Sequence, residues 1–139
     1  MNNQKFDSII FDCDGVLVDI TQSYDKTIDK TCRYVLKEFA EIDSIQIDHK
    51  IIDGFKASGG FNDEVDLTYA AVLSLYASNK LNKEPLEFVY EVILNADKTG
   101  IRSVQSYIQS CCDISEFLSK LGSLGDRHNN PVYSIFDQF

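Results

Sequence analysis

The sequence predicts a predominantly α-helical chain with one or two short strands at its N-terminus. Three observations carry that expectation. Apolar residues recur at helical spacing from about residue 21 to residue 121. Residues 6–11 form a single apolar run of strand length. Gly, Pro, Asn and Asp interrupt the helical stretches at intervals of about one helix. A length of 139 residues with 44% hydrophobic content suffices for one compact domain with a genuine core.

Taken in order, residues 1–5 read as a polar tail and residues 6–11 as the first strand. Residues 16–18 are a second short apolar stretch, either a tight hairpin or an irregular loop after Gly15. From Thr21 the period becomes helical. Tyr24, Ile28, Val35, Leu36 and Phe39 fall near one stripe, with Lys26, Asp29, Lys30 and Lys37 available to the other face. That long helix ends near Ala40, and residues 42–46 carry no assignable pattern. Residues 48–55 form a short helix with Ile51, Ile52 and Phe55 inward and Gly54 near its end. The polar, glycine-containing stretch 56–64 breaks it. Asn62 is expected to cap the next helix, whose positive end favours Asp63, Glu64 and Asp66. That helix reaches about Ser78 through Leu67, Ala70, Ala71, Ser74 and Leu75.

Pro85, at the first position of a further helix, starts a segment whose buried side is Phe88, Val89, Val92 and Ile93. Residues 95–100 are a loop, and Ser103 is expected to cap a helix carrying Val104, Tyr107 and Ile108. Residues 113–121 repeat the pattern with Ile114, Phe117, Leu118 and Leu121. Residues 122–131 read as a linker. Residues 132–139 are apolar and aromatic, a short strand or a turn of helix.

A formal net charge of −9 argues against a nucleic-acid surface, which needs basic side chains to neutralise phosphates. No apolar run approaches the roughly 20 residues that span a bilayer, and the N-terminus lacks the apolar stretch of a signal peptide. A cytoplasmic protein that binds no membrane is the expectation. Cys13, Cys32, Cys111 and Cys112 have no metal-binding spacing, and in that compartment all four stay reduced. His49 and His128 are too isolated to make a zinc site and are expected at the surface.

The chemistry concentrates in residues 11–19, Phe-Asp-Cys-Asp-Gly-Val-Leu-Val-Asp. Side chains at i and i+2 of a strand point to one side, so Asp12 and Asp14 can converge on one point while Cys13 faces the core. Two ionised carboxylates that close repel unless a cation lies between them or one holds a proton. A hard divalent ion with oxygen ligands at roughly 2.0–2.1 Å removes that penalty, which makes Mg²⁺ the natural partner. Gly15 lets the backbone leave sharply. The alternative is a strand end with acidic turn residues.

This segment closely resembles the first motif of the haloacid dehalogenase-like (HAD) hydrolases, the aspartate-nucleophile phosphatases. The resemblance implies that Asp12 attacks the phosphoryl group and that Asp14 is the general acid and base. It further implies that the Asp12 carboxylate and the Asp14 backbone carbonyl hold Mg²⁺. Asp14 favours phosphoryl chemistry over carbon–halogen cleavage, and Asp19 matches an acidic residue often found after the motif. Residues 1–19 would then be the first strand, nucleophile loop and flap of an α/β, Rossmann-like core. Residues 20–121 would be an all-helical cap domain, and residues 122–139 a linker and a truncated return to that core. Within such a cap, Lys56 and Asn62 would look over Asp12 and contact substrate. The bland reading of that loop is a surface turn with a capping Asn and an exposed Lys.

The later motifs of the family do not follow. No strand ending in a phosphate-binding Ser or Thr, no charge-neutralising Lys strand and no final acidic ligand are apparent after residue 121. Gly125-Asp126 resembles the last only superficially, because no apolar strand precedes it. The expected function is hydrolysis of a small phosphorylated metabolite through an aspartyl-phosphate, with the chain as given incomplete and weakly active or inactive alone. The competing expectations are a non-catalytic helical interaction module, one part of a split enzyme completed by a second chain or by the missing part of the core, and a phosphomutase.

Overall fold

In the computed structural model the described residues are Ile9, 21–122 and 129–139. They form seven helices and, among themselves, no strand. The helices are α1 (Thr21–Ala40), α2 (His49–Ala57), α3 (Glu64–Lys80), α4 (Pro85–Asn95), α5 (Ile101–Cys111), α6 (Ser115–Leu121) and α7 (Pro131–Phe136). The helical part of the expected fold is thus present. Of the expected first strand only Ile9 is described; it belongs to no strand and is 76% exposed. The rest of that strand, the 16–18 stretch, and Asp12, Cys13, Asp14, Asp126 and His128 lie outside the described residues, so a Rossmann-like core has no counterpart among them. No helix of the described residues is long and apolar enough to cross a membrane.

The bundle is organised around α3, which packs against α1, α2, α4, α5 and α7. Every residue from Leu67 to Leu75 is buried, as are Ala77 and Ser78. A helix apolar or small on all sides suits such a position, and the run of Ala70, Ala71, Ser74, Ala77 and Ser78 lets neighbouring helices approach closely. Three buried hydroxyls on α3 satisfy themselves within the helix. Thr68 Oγ1 donates to the Glu64 carbonyl at 2.7 Å, Ser74 Oγ to Ala70 at 2.7 Å and Ser78 Oγ to Leu75 at 2.8 Å. The stripe read from spacing for α1 holds for Ile28, Val35 and Leu36, and Cys32 and Thr31 are buried with them.

Between α1 and α2 the chain doubles back along α1. Lys37 Nζ pairs with Asp43 Oδ1 at 2.9 Å, and the Ile47 amide donates to Asp29 Oδ1 at 2.8 Å. The start of α2 therefore lies beside the N-terminal half of α1. The α2 N-cap is Asp48, whose carboxylate accepts from the Ile51 amide at 3.1 Å. Pro85 opens α4 as expected, with Glu84 accepting the Leu86 and Glu87 amides. The apolar 132–139 segment resolves as helix: Asn130 caps α7 and Pro131 occupies its first position. Tyr133 Oη then donates to Asp66 Oδ1 at 2.7 Å, tying α7 to the start of α3.

Two capping expectations are corrected. The cap of α3 is Asp63 rather than Asn62: its backbone is extended and its carboxylate accepts from the Val65 amide at 2.8 Å, while Asn62 is exposed. An ionised carboxylate at the positive end of a helix is favoured over a neutral amide. Ser103 does not cap α5, which begins two residues earlier after Gly100 at φ 62°. Its hydroxyl instead donates back to the Gly100 carbonyl at 2.6 Å and accepts from the Asp97 amide at 3.1 Å.

Candidate functional site

Of the four residues singled out from sequence, Asp12 and Asp14 lie outside the described residues, and Lys56 and Asn62 border the loop between α2 and α3. The loop is built to hold still. Ser58 Oγ donates to the Phe55 carbonyl at 2.7 Å, and Phe61 is buried edge-on to Phe55 with ring centroids 5.2 Å apart. Gly60 lies directly on Gly100 of the α4–α5 loop. A Cβ at Gly60 would collide with the Gly100 backbone and come within 2.5 Å of the Asp97 carbonyl oxygen. Only glycine permits this backbone-on-backbone crossing.

Lys56 is exposed in the last turn of α2, and its Nζ lies 3.7 Å from Glu64 Oε1 across the loop. That pair is loose and solvated, worth little to stability, and leaves the ammonium available to an anion. His49, Asp53 and Lys56 recur at i, i+4 and i+7, one face of α2. His49 spans two carboxylates, with Nδ1 at 2.8 Å from Asp25 Oδ2 of α1 and Nε2 at 3.0 Å from Asp53 Oδ2. The hydrogen bond to Asp25 and the charge of Asp53 hold the imidazole pKa above its usual 6.5, opposed in part by the Lys56 charge. His49 is exposed, as expected, but it is a staple between α1 and α2 rather than an isolated side chain.

A second cation at this loop went unseen in the sequence. The Lys98 side chain runs beside Gly59, and its Cγ would stand 3.7 Å from a Cβ there. No spacing rule joins positions 59 and 98, because helix packing and the glycine crossing bring the two loops together only on folding. Asp97, next to it, is engaged by the Thr99 amide at 2.8 Å and the Thr99 hydroxyl at 2.5 Å, which hold its carboxyl below the ordinary value.

Among the described residues no group of three or more His, Cys, Asp or Glu side chains is placed to hold a metal ion. The Mg²⁺ expectation therefore rests on Asp12 and Asp14. A recess of about 290 Å³ lies toward the other end of α3, lined by Ile42, Ser44, Leu75, Ser78, Asn79 and Asn82 among others. Neither Lys56, Asn62 nor Lys98 lines it. No protein-family model, curated protein or solved structure matches the chain.

Proposed function

We propose that the chain carries the nucleophile loop and helical cap of an aspartate-nucleophile phosphatase acting on a small phosphate monoester. The observation that carries the reading is Asp12-Cys13-Asp14-Gly15 at the end of an apolar run, followed at once by a helical bundle. Asp12 attacks phosphorus and expels the alkoxide, which Asp14 protonates; Asp14 then takes a proton from the water that hydrolyses the aspartyl-phosphate. Mg²⁺ held by Asp12 and the Asp14 carbonyl would lower the repulsion between carboxylate and phosphate dianion.

The α2–α3 loop supports the assignment of a substrate-contacting edge. It is pinned by Phe61 and by the glycine crossing, Lys56 and Asn62 border it, and Lys98 of the α4–α5 loop lies beside its Gly59. The loop follows α2, whose first residue, His49, at the far end of that helix, reaches Asp25 near the start of α1. Six residues lie between Asp14 and Thr21, so the motif is tethered within about 25 Å of the start of α1 at full stretch. Transition-state charge in phosphoryl transfer needs more donors than two lysines and an amide. Slow turnover is therefore part of the reading, with a second chain or further core segment supplying the remainder.

The experiment is Mg²⁺ titration by calorimetry together with p-nitrophenyl phosphate turnover. Mg²⁺ binding and slow turnover are both expected to vanish in Asp12→Asn. Mg²⁺ binding unchanged by that substitution would overturn the site, and fast Asp12-dependent turnover would overturn the need for a further part.

A further inference from the structure

Helix α4 is apolar on two opposite sides. Phe88, Val89 and Val92 face the core, while Leu86, Tyr90 and Leu94 recur at i, i+4 and i+8 on the outside. The outer three are 39%, 37% and 85% exposed. Eight residues of helix put about 12 Å between the first and last of them, a little over two turns. A single exposed leucine means nothing, but three large apolar side chains aligned along one helix form a stripe that water covers at a cost.

One border of the stripe carries three glutamates, with Lys83 beside Glu91. Glu87 projects beside Leu94 on the helical wheel and makes no ion pair among the described residues. Glu91 follows one turn later, held by Lys83 at 3.3 Å. Glu84 stands at the N-terminal edge, where its carboxylate caps the helix. A second copy of this chain would bring the same carboxylates face to face, with a net charge of −9 on each molecule opposing the approach. A helix with an apolar stripe bordered by lysine or arginine meets the same surface with opposite charge.

We propose that the outer face of α4 is a docking surface for a basic amphipathic helix of another protein, seated on Leu86, Tyr90 and Leu94 with a cation against Glu87. Tyr90 lies at the centre of the contact and Leu94 is its most exposed apolar side chain, and Glu87 sets orientation and partner choice. The proposal does not depend on the phosphatase reading, since none of these residues belongs to the α2–α3 loop.

The probe is a fluorescein-labelled model helix with leucines at i, i+4 spacing and lysines elsewhere, titrated with the full chain and followed by anisotropy. A glutamate version of the same helix is the comparison. The lysine helix is expected to bind at least about tenfold tighter than the glutamate helix. Leu94→Asp should weaken it by about tenfold or more, and Glu87→Gln by about threefold, more so at low salt. Leu94 is largely exposed, so the Leu94→Asp protein keeps its helical circular dichroism. Equal binding to the parent and to Leu94→Asp would mean diffuse charge attraction and overturn the proposal, as would no binding at all. Self-association of the parent that Leu94→Asp abolishes would assign the stripe to a second copy instead.

Discussion

Replacing Gly60 with alanine tests the loop crossing on which the candidate site is built. The added methyl has no direction of escape: the Gly100 backbone and the Asp97 carbonyl oxygen, 2.5 Å away, both belong to main chain rather than to a side chain that can rotate. Ordinary carbon contacts need about 3.5 Å, so the two loops must part by about 1 Å. Parting them also strains the seat of Phe61 against Phe55. Overpacking that only backbone movement can relieve belongs at the upper end of its usual range, about 3 kcal/mol. At about 3–5 °C per kcal/mol for a chain of this length, the thermal midpoint should fall by about 9–15 °C. Two other glycines calibrate the result. Gly59 sits at φ 87° with only Lys98 nearby, so Gly59→Ala should cost about 1 kcal/mol from backbone strain. Gly54 lies within α2, and a Cβ there meets the Ile93 side chain, Cδ1 at 3.0 Å and Cγ2 at 3.3 Å, with no backbone in the way. Gly54→Ala should be near neutral, because a gain in helix propensity of about 1 kcal/mol offsets the repacking. The assay is thermal unfolding followed by circular dichroism. A Gly60→Ala midpoint within about 2 °C of the parent, or a larger loss in Gly59→Ala, would refute the crossing as the source of rigidity.

Two further outcomes follow from single side chains. The folded-state pKa of His49 is raised, first by its hydrogen bond to Asp25; its contribution to stability is therefore full below the unfolded value near 6.5 and is lost as pH rises through the folded value. Thermal midpoints of the parent should accordingly fall relative to His49→Gln as pH increases above about 6.5, and parallel profiles would contradict the staple. Tyr69 is fully buried, its hydroxyl without a hydrogen bond and its pKa pushed up to about 12 by burial, although the Asn130 amide faces it. Removing an unsatisfied hydroxyl should leave stability unchanged or raise it by up to about 1 kcal/mol in denaturant unfolding of Tyr69→Phe, and a clear loss would reveal a partner for the hydroxyl.

Local chemistry made much of the fold legible. Pro85 set the start of α4, and the 48–55 helix and the end of α1 near Ala40 are where periodicity places them. The errors came where position depended on contacts distant in sequence. Asn62 and Asp63 are both capping residue types, and the charged Asp63 takes the cap with its carboxylate on the Val65 amide. The start of α5 is set by Gly100, which takes a positive φ because it lies under Gly60, a partner forty residues away. The all-round burial of α3 hid behind its small residues, which give no contrast between faces. The outer stripe of α4 was present in the sequence at i, i+4 and i+8, but the stronger inward pattern of Phe88, Val89 and Val92 absorbed the assignment. The proposed site was legible only as a motif, Asp12-Cys13-Asp14-Gly15, whereas the proximity of Lys56 to Glu64 and of Lys98 to Gly59 exists only after folding.

Cys32 sits at the seam of α1 and α3, fully buried, with its Sγ 3.7 Å from the Thr68 carbonyl oxygen; burial, with the Asp29 charge second, pushes the thiol far above its ordinary value. A thiol in that position is neither ionised nor reachable while the seam is shut. With Cys13, Cys111 and Cys112 replaced by serine, alkylation of the remaining sulfur becomes a clock for the opening of the interior. Its rate in the presence and absence of a phosphorylated compound would tell whether such a compound is felt in the middle of the bundle.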